Sequence, residues 1–184
     1  PYAATKAGAE ELAVSYHNTF GLPVIITHTM NVIGERQHPE KFVPMCIAKV
    51  RGGELVKIHS NRDRTMAGSR HYIYAKDVAR AVFFLLCTGV PGQKYNVVGA
   101  REVNNLELAQ MIADAVGTPL VYEMVDFHSS RPGHDLRYAL DGSKLAEMGW
   151  AQFDTIDHSV ERIVEWTLRN PQWLVTLQPK AVAA

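Results

Sequence analysis

An α/β fold with parallel strands is what this sequence predicts, and three observations predict it. Residues 3 to 19 are Ala-rich and free of proline, and Gly21-Leu-Pro23 closes them, so a helix with a clear stop opens the chain. "PVIITHT" at 23 to 29 follows as a nearly unbroken β-branched run, the pattern of a strand covered on both faces, as in a parallel sheet. Helical and strand patterns then go on alternating along the chain.

A loop at 34 to 39 leads to a helix at 40 to 51, and "ELVKIH" (54 to 59) reads as a strand. The polar stretch "SNRDRTMAGS" (60 to 69) is a loop, and "RHYIY" (70 to 74) a short strand. Asp77 opens a helix reaching about residue 88, with "AVFFLL" as the buried face of a core helix. "QKYNVVG" (93 to 99) is a strand, 104 to 116 a helix ended by Gly117, and "PLVYEMV" (119 to 125) another strand. Helices at 142 to 148 and 155 to 169 come last, and Pro171 stops the second. Trp150, Trp166 and Trp173 read as packing residues, and Glu10 and Glu11 as solvated helix positions without chemistry. The sequence shows no repeat, low-complexity segment or internal linker.

At 184 residues the chain suits one domain able to bury roughly 70% of its unfolded surface. Lys plus Arg equals Asp plus Glu at 19 each, so no global field draws it to nucleic acid or an anionic membrane. Any anion site is therefore local. Cys46 and Cys87 lie in apolar runs without a C-x-x-C, which suggests buried thiols in a reducing cytosol rather than a disulfide or thiolate metal site. No H-E-x-x-H occurs, no metal is expected, and the longest apolar run, 81 to 87, falls far short of the ~20 residues of a membrane span. The expected location is cytoplasmic.

Tyr2 and Lys6 stand at i and i+4 on one helical face, a spacing that places an ammonium near a phenol. A tyrosine of ordinary pKa ~10 needs a shift of about three units, ~4 kcal/mol, to act as a base at neutral pH. One cation at ~4 Å in an effective dielectric of ~20 supplies roughly that. A second match, Tyr72 and Lys76, sits at a strand-to-helix junction, so spacing alone does not choose between them. Short side chains around Tyr2 in "PYAATKAGAEEL" favour the first pair, because a helix facing a cofactor needs room for its approach. No G-x-G-x-x-G or G-x-x-x-x-G-K-[ST] loop occurs to cradle a phosphate.

Taken with "NVIGERQHPEKFVP", "RHYIYAKDVARA", "YNVVG" and "RPGHDLRYALDGSKL", the opening segment resembles the extended short-chain dehydrogenases/reductases that act on nucleotide sugars. The resemblance runs from Pro1 to about Trp166, and "RPGHD" with "RYALDGSKL" and "GW" is closest to the dTDP-glucose 4,6-dehydratase branch. It implies the C-terminal part of a Rossmann-like fold. Residues 1–35 would end the dinucleotide-binding domain, and 36–184 would be mainly substrate-binding, with some elements returning to the main sheet.

The resemblance further implies NAD as cofactor and a dTDP- or UDP-hexose as substrate. Tyr2 would take the proton from the sugar 4-hydroxyl, Lys6 would hold the nicotinamide ribose, and Asn31 would meet cofactor and sugar. Arg70, Asn96, Arg131 and His134 would bind the diphosphate and nucleoside, as planar guanidinium forks suit. The family's eliminating acid and base come from a Thr-Asp-Glu segment upstream of the tyrosine, and full-length members are homodimers.

Read singly, Arg70 and Arg131 are equally surface salt-bridge partners, and Asn31 a turn former before Gly34. The chain departs from the family at His28, Ile33, Glu35, His71 and Tyr72, and in a longer 60 to 69 loop carrying Arg62 and Arg64, which leaves the sugar and nucleotide open. A 4-epimerase or reductase of the same family, a non-catalytic nucleotide-sugar-binding module, and a vestigial fragment remain rival readings. Taken alone, the chain is expected to be inactive and to pair the apolar edge of "PVIITHT" with another copy or to aggregate; a monodisperse monomer in sedimentation would refute this.

Overall fold

The computed structural model of the chain describes residues 1–126 and 135–174. Helix α1 (Tyr2–Phe20) ends where Gly21 turns left-handed, φ 66°, with its N–H bonded to His17. The chain doubles back into β1 (Ile26–Thr29), which pairs in parallel with β6 (Lys94–Val97). Between these strands run β2 (Val32–Ile33), α2 (Phe42–Arg51), β3 (Val56–Ser60), β4 (Ser69–His71), β5 (Ile73–Tyr74) and α3 (Ala75–Thr88). Beyond β6 come β7 (Glu102–Asn104), α4 (Asn105–Val116), β8 (Tyr122–Asp126), β9 (Arg137–Tyr138), α5 (Ser143–Glu147), α6 (Ile156–Arg169) and a 3-10 turn at Pro171–Leu174.

Two cores divide the molecule. The larger packs α2, α4 and α6 with β3 around Cys46, Ile47, Ile58, Leu108, Ile112 and Ile163, all at 2% exposure or less. Sequence explains it directly: apolar residues recur at helical spacing, Asn104 caps α4 by accepting from the Glu107 N–H, and Gly117 closes it with φ 77°. Thr155 caps α6 in the same way through the His158 N–H. The smaller core joins α3 and α5 to β5 and β6 through Ala81, Leu85, Tyr95, Val97 and Leu145.

Several expectations need correction. The 70 to 74 strand is two strands in different sheets: β4 pairs with β7 and β9, and β5 pairs with β2. The break falls at Tyr72, whose carbonyl packs so tightly on Gly99 that a Cβ there would lie 2.0 Å away. Likewise α3 is not buried along "AVFFLL": Ala81 and Leu85 face the core, while Phe83 and Leu86 are 69% and 75% exposed. One neighbouring layer can cover only one stripe of a helix with 3.6 residues per turn. Cys46 is buried, but Cys87 lies on the open side of α3 and is exposed. The short strands β2, β7 and β9 carry too few residues for a readable alternation.

The strand expected at 23 to 29 spans only Ile26–Thr29 and is half-buried rather than covered on both faces. One long side of it meets β6; among the described residues no strand pairs with the other. No helix among the described residues is long and apolar enough to cross a membrane.

Candidate functional site

The first two turns of α1 stand in the open. No residue of α1 is buried, Tyr2 is 75% exposed, and the Lys6 ammonium lies 6.0 Å from the Tyr2 ring centre. Half-buried positions Glu10, Ala13, Val14 and His17 form one stripe, and Glu10 in it reaches both β1 and β6. His17 sits against Gly92, and Glu10 reaches His28 on β1, so α1 runs antiparallel to the strands. Tyr2 therefore extends about 12 Å past Glu10 by helical rise, and Asn31 about 10 Å past His28 by strand rise. Both end at the carboxyl edge of the strands, the edge where open α/β sheets place their ligands.

A polar chain holds this arrangement. The Glu10 carboxylate accepts from His28 Nε2 at 2.8 Å and pairs with Lys94 Nζ at 2.5 Å. Its pKa is lowered, first by the Lys94 bond and then by the His28 bond. Asn96 Nδ2 donates to the Asp141 carbonyl at 2.7 Å, which turns Asn96 Oδ1 toward His28 Nδ1 at 3.3 Å. Both ring nitrogens of His28 thus lie within hydrogen-bond distance of side-chain oxygens, Glu10 Oε2 and Asn96 Oδ1. Glu10 is therefore no solvated helix position, as its sequence context suggested. His28 breaks a β-branched strand with a polar residue, and that was the available signal.

The second Tyr-x-x-x-Lys match is structural. Tyr72 is 7% exposed, its hydroxyl donates to Asn105 Oδ1 at 2.6 Å, and burial pushes its phenol up to about 12. Lys76 turns instead to Glu35, 3.7 Å away, and lies over the Tyr74 ring. A phenol held that high is a poor base at neutral pH. Only Tyr2 has both the cation and the access.

The expected anion-binding residues are placed unevenly. Asn31 is exposed just beyond β1, with its carbonyl accepting from Ile73 N at 3.0 Å. Asn96 borders a groove of about 520 Å³ that His71, Gly99, Asp141, Trp150 and Gln152 also line. Arg70 is not a free guanidinium: it donates to the carbonyls of Ser69, Asp135 and Leu136 at 2.6, 2.6 and 2.9 Å. Its fork grips the backbone just past the segment that holds Arg131 and His134, and those two residues lie outside the described residues.

The same stretch of chain is held a second time, through the side chain of Arg137. Glu102 accepts from Arg137 Nε and Nη2, both at 2.8 Å, and from the Ser69 hydroxyl at 2.5 Å. The Arg137 bond first, and then Ser69, pull its carboxyl down to about 2. Sequence reasoning missed Glu102, and no local pattern marks it, because its partners are 33 and 35 positions away. Among the described residues no group of three or more His, Cys, Asp or Glu is placed to hold a metal ion.

The chain is similar to known proteins in both sequence and fold. The profile of the NAD dependent epimerase/dehydratase family matches residues 1–98. A dTDP-glucose 4,6-dehydratase of Escherichia coli is 34% identical over 183 residues, covering 94% of this chain and 49% of the relative. The dTDP-glucose 4,6-dehydratase DesIV of Streptomyces venezuelae, solved with NAD and TYD bound, superposes with a TM-score of 0.82 at 34% identity over 94% of this chain and 52% of its own. A UDP-glucose 4-epimerase of Thermus thermophilus solved with NAD superposes with a TM-score of 0.79 at 26% identity, over 90% of this chain and 53% of its own. The chain spans about half the length of the curated relatives it matches. Its Rossmann-like α/β architecture is that of these dehydratases and epimerases.

Proposed function

The chain belongs to the NAD dependent epimerase/dehydratase family, and from that premise we propose that it is the C-terminal part of an NAD-dependent nucleotide-sugar 4,6-dehydratase. The observation that carries this reading is the placement of Tyr2, Lys6 and Asn31 at one carboxyl edge of β1 and β6, in a chain 34% identical to a dTDP-glucose 4,6-dehydratase along nearly its whole length.

The exposed first turns of α1 fit the nicotinamide ribose of NAD. Residues 2 to 9 are all exposed, and beside Gly8 nothing lies within 4 Å of where a Cβ would be. Bound NAD would take hydride from sugar C4 and later return it at C6. In this reading Tyr2 removes the proton from the 4-hydroxyl, and Lys6 stabilises the resulting phenolate. Asn31 and Asn96 hold the sugar nucleotide, with Arg131 and His134 on its diphosphate and nucleoside. Arg70 acts on the diphosphate indirectly, by fixing the carbonyls of Asp135 and Leu136. No Thr-Asp-Glu run occurs in these 184 residues, so removal of water across C5 and C6 is assigned to none of them. The chain alone is accordingly inactive in this reading, and its unpaired thiols suit a cytoplasmic location.

The likeness to a UDP-glucose 4-epimerase favours a second reading, in which Tyr2 and Lys6 do all the proton work. One experiment separates the two. The full-length enzyme, incubated with NAD and dTDP-glucose or UDP-glucose, yields a 4-keto-6-deoxy sugar if it is a dehydratase and the C4 epimer if it is an epimerase. Tyr2→Phe is expected to cut turnover by orders of magnitude while sparing sugar-nucleotide binding; unchanged turnover removes Tyr2 from the mechanism.

A further inference from the structure

Within these 184 residues Tyr2 and Lys6 sit on the exposed end of a helix that has no buried residue and only Ala13 and Val14 as half-buried apolar positions, so the side-chain bonds that this chain makes to α1 are polar ones. Glu10 continues their face at i+4 from Lys6 and i+8 from Tyr2, and its carboxylate is bonded at once to β1 through His28 and to β6 through Lys94. The side chain of Glu10 is 23% exposed, and each of its oxygens has its own partner, Oε2 with His28 and Oε1 with Lys94. Bonds from two strands to two oxygens of one carboxylate restrict sliding as well as rotation, which a single contact does not.

We infer that Glu10 is the positioning residue of the Tyr2–Lys6 pair, and that the chain Glu10–His28–Asn96 ties the proton-transfer helix to the strand that carries a substrate-binding amide. The inference rests on the reading of Tyr2 as the base. Positioning of this kind acts on turnover rather than affinity, because a small displacement of a base from its proton costs rate steeply while the substrate is still held by other groups. The other cationic contact of the strand pair, Lys144 to Gln93 and the Lys94 carbonyl, secures α5 and leaves α1 untouched.

Two measurements decide it. In the full-length enzyme, Glu10→Gln keeps size but replaces one of the two accepting oxygens that meet His28 and Lys94 with an amide nitrogen; it is expected to lower kcat tenfold or more with KM changed less than twofold. His28→Arg, which restores a donor toward both Glu10 and Asn96, is expected to hold kcat within threefold of the parent, whereas His28→Ala reproduces the Glu10→Gln loss. Amide hydrogen exchange on the full-length enzyme gives a readout independent of activity. Glu10→Gln is expected to speed exchange across α1 about tenfold and leave α2, α4 and α6 unchanged. A kcat within twofold of the parent, or unaltered exchange in α1, overturns the inference. A parent enzyme that turns over no nucleotide sugar overturns the Tyr2 reading instead, and the tether then stands or falls on hydrogen exchange alone.

Discussion

Helices α1 and α4 carry similar local signals and reach opposite ends. Both are closed by a left-handed glycine, Gly21 or Gly117, and both follow helix-favouring sequence. Yet α4 buries Leu108, Ala109, Ile112 and Ala113, while α1 buries nothing and meets the sheet through Glu10 and His17. Capping and propensity make a helix; they do not say what it rests on. The α2–α4–α6 side is located by apolar area, which is non-directional and tolerant, whereas the α1 end is located by a few polar bonds that depend on direction.

The sharpest way to break this comparison is to truncate an equivalent side chain on each helix. Leu108→Ala in α4 is expected to lower unfolding free energy by about 2–5 kcal/mol, and Leu12→Ala on α1, 60% exposed, by no more than about 0.5 kcal/mol, both read from urea denaturation. Similar losses at the two sites would mean that α1 is packed far more firmly than its exposure indicates.

Asp77 joins the two sides and comes next in size. Its buried carboxylate accepts from the N–H groups of Phe153 and Asp154 at 3.2 and 3.3 Å and pairs with Arg80 at 3.0 Å, linking α3 to the start of α6. Asp77→Ala strands those donors and is expected to cost about 2–3 kcal/mol. A cost below 1 kcal/mol in the same denaturation assay would show that water replaces the carboxylate.

The capping contrast predicts a smaller effect. Asn104 caps α4 through its side chain, and α1 has no such cap, so Asn104→Ala should cost about 1 kcal/mol. The corresponding change at Pro1 should be nearly silent in thermal melts.

Acid should loosen the β9 clasp with the least effect on the whole. The folded pKa of Glu102, about 2, lies below its ordinary 4.5, so its contribution is complete above about pH 4.5 and fades as pH falls toward 2. Glu102→Gln should flatten that part of the curve of melting temperature against pH; an unchanged slope would assign the acid sensitivity to other carboxyls.

The open side of α3 sharpens the same lesson. Phe83 and Leu86 were legible as apolar but not as exposed, since an uninterrupted run of seven apolar residues carries no phase to say which stripe faces inward. Asp77, by contrast, was legible as a helix start but not as a clasp, because its partners arrive from 76 and 77 positions away. At the site, Tyr2, Lys6, Asn31 and Asn96 came from motif spacing and resemblance. Glu10, His28 and Glu102 did not, because each is defined by what it meets across the chain.

By itself the sequence determined the alternation of helices and strands, the stops of α4 and α6 and the likeness to a nucleotide-sugar family, since these rest on local periodicity, turn chemistry and contiguous motifs. Tertiary structure alone decided that Tyr2 rather than Tyr72 is the accessible phenol, that Arg70 grips backbone, and that a glutamate two turns beyond Tyr2 ties its helix to the sheet. Spacing along a helix or strand fixes which side chains share a face. Exposure and hydrogen-bond partners follow only when segments distant in the chain are brought together.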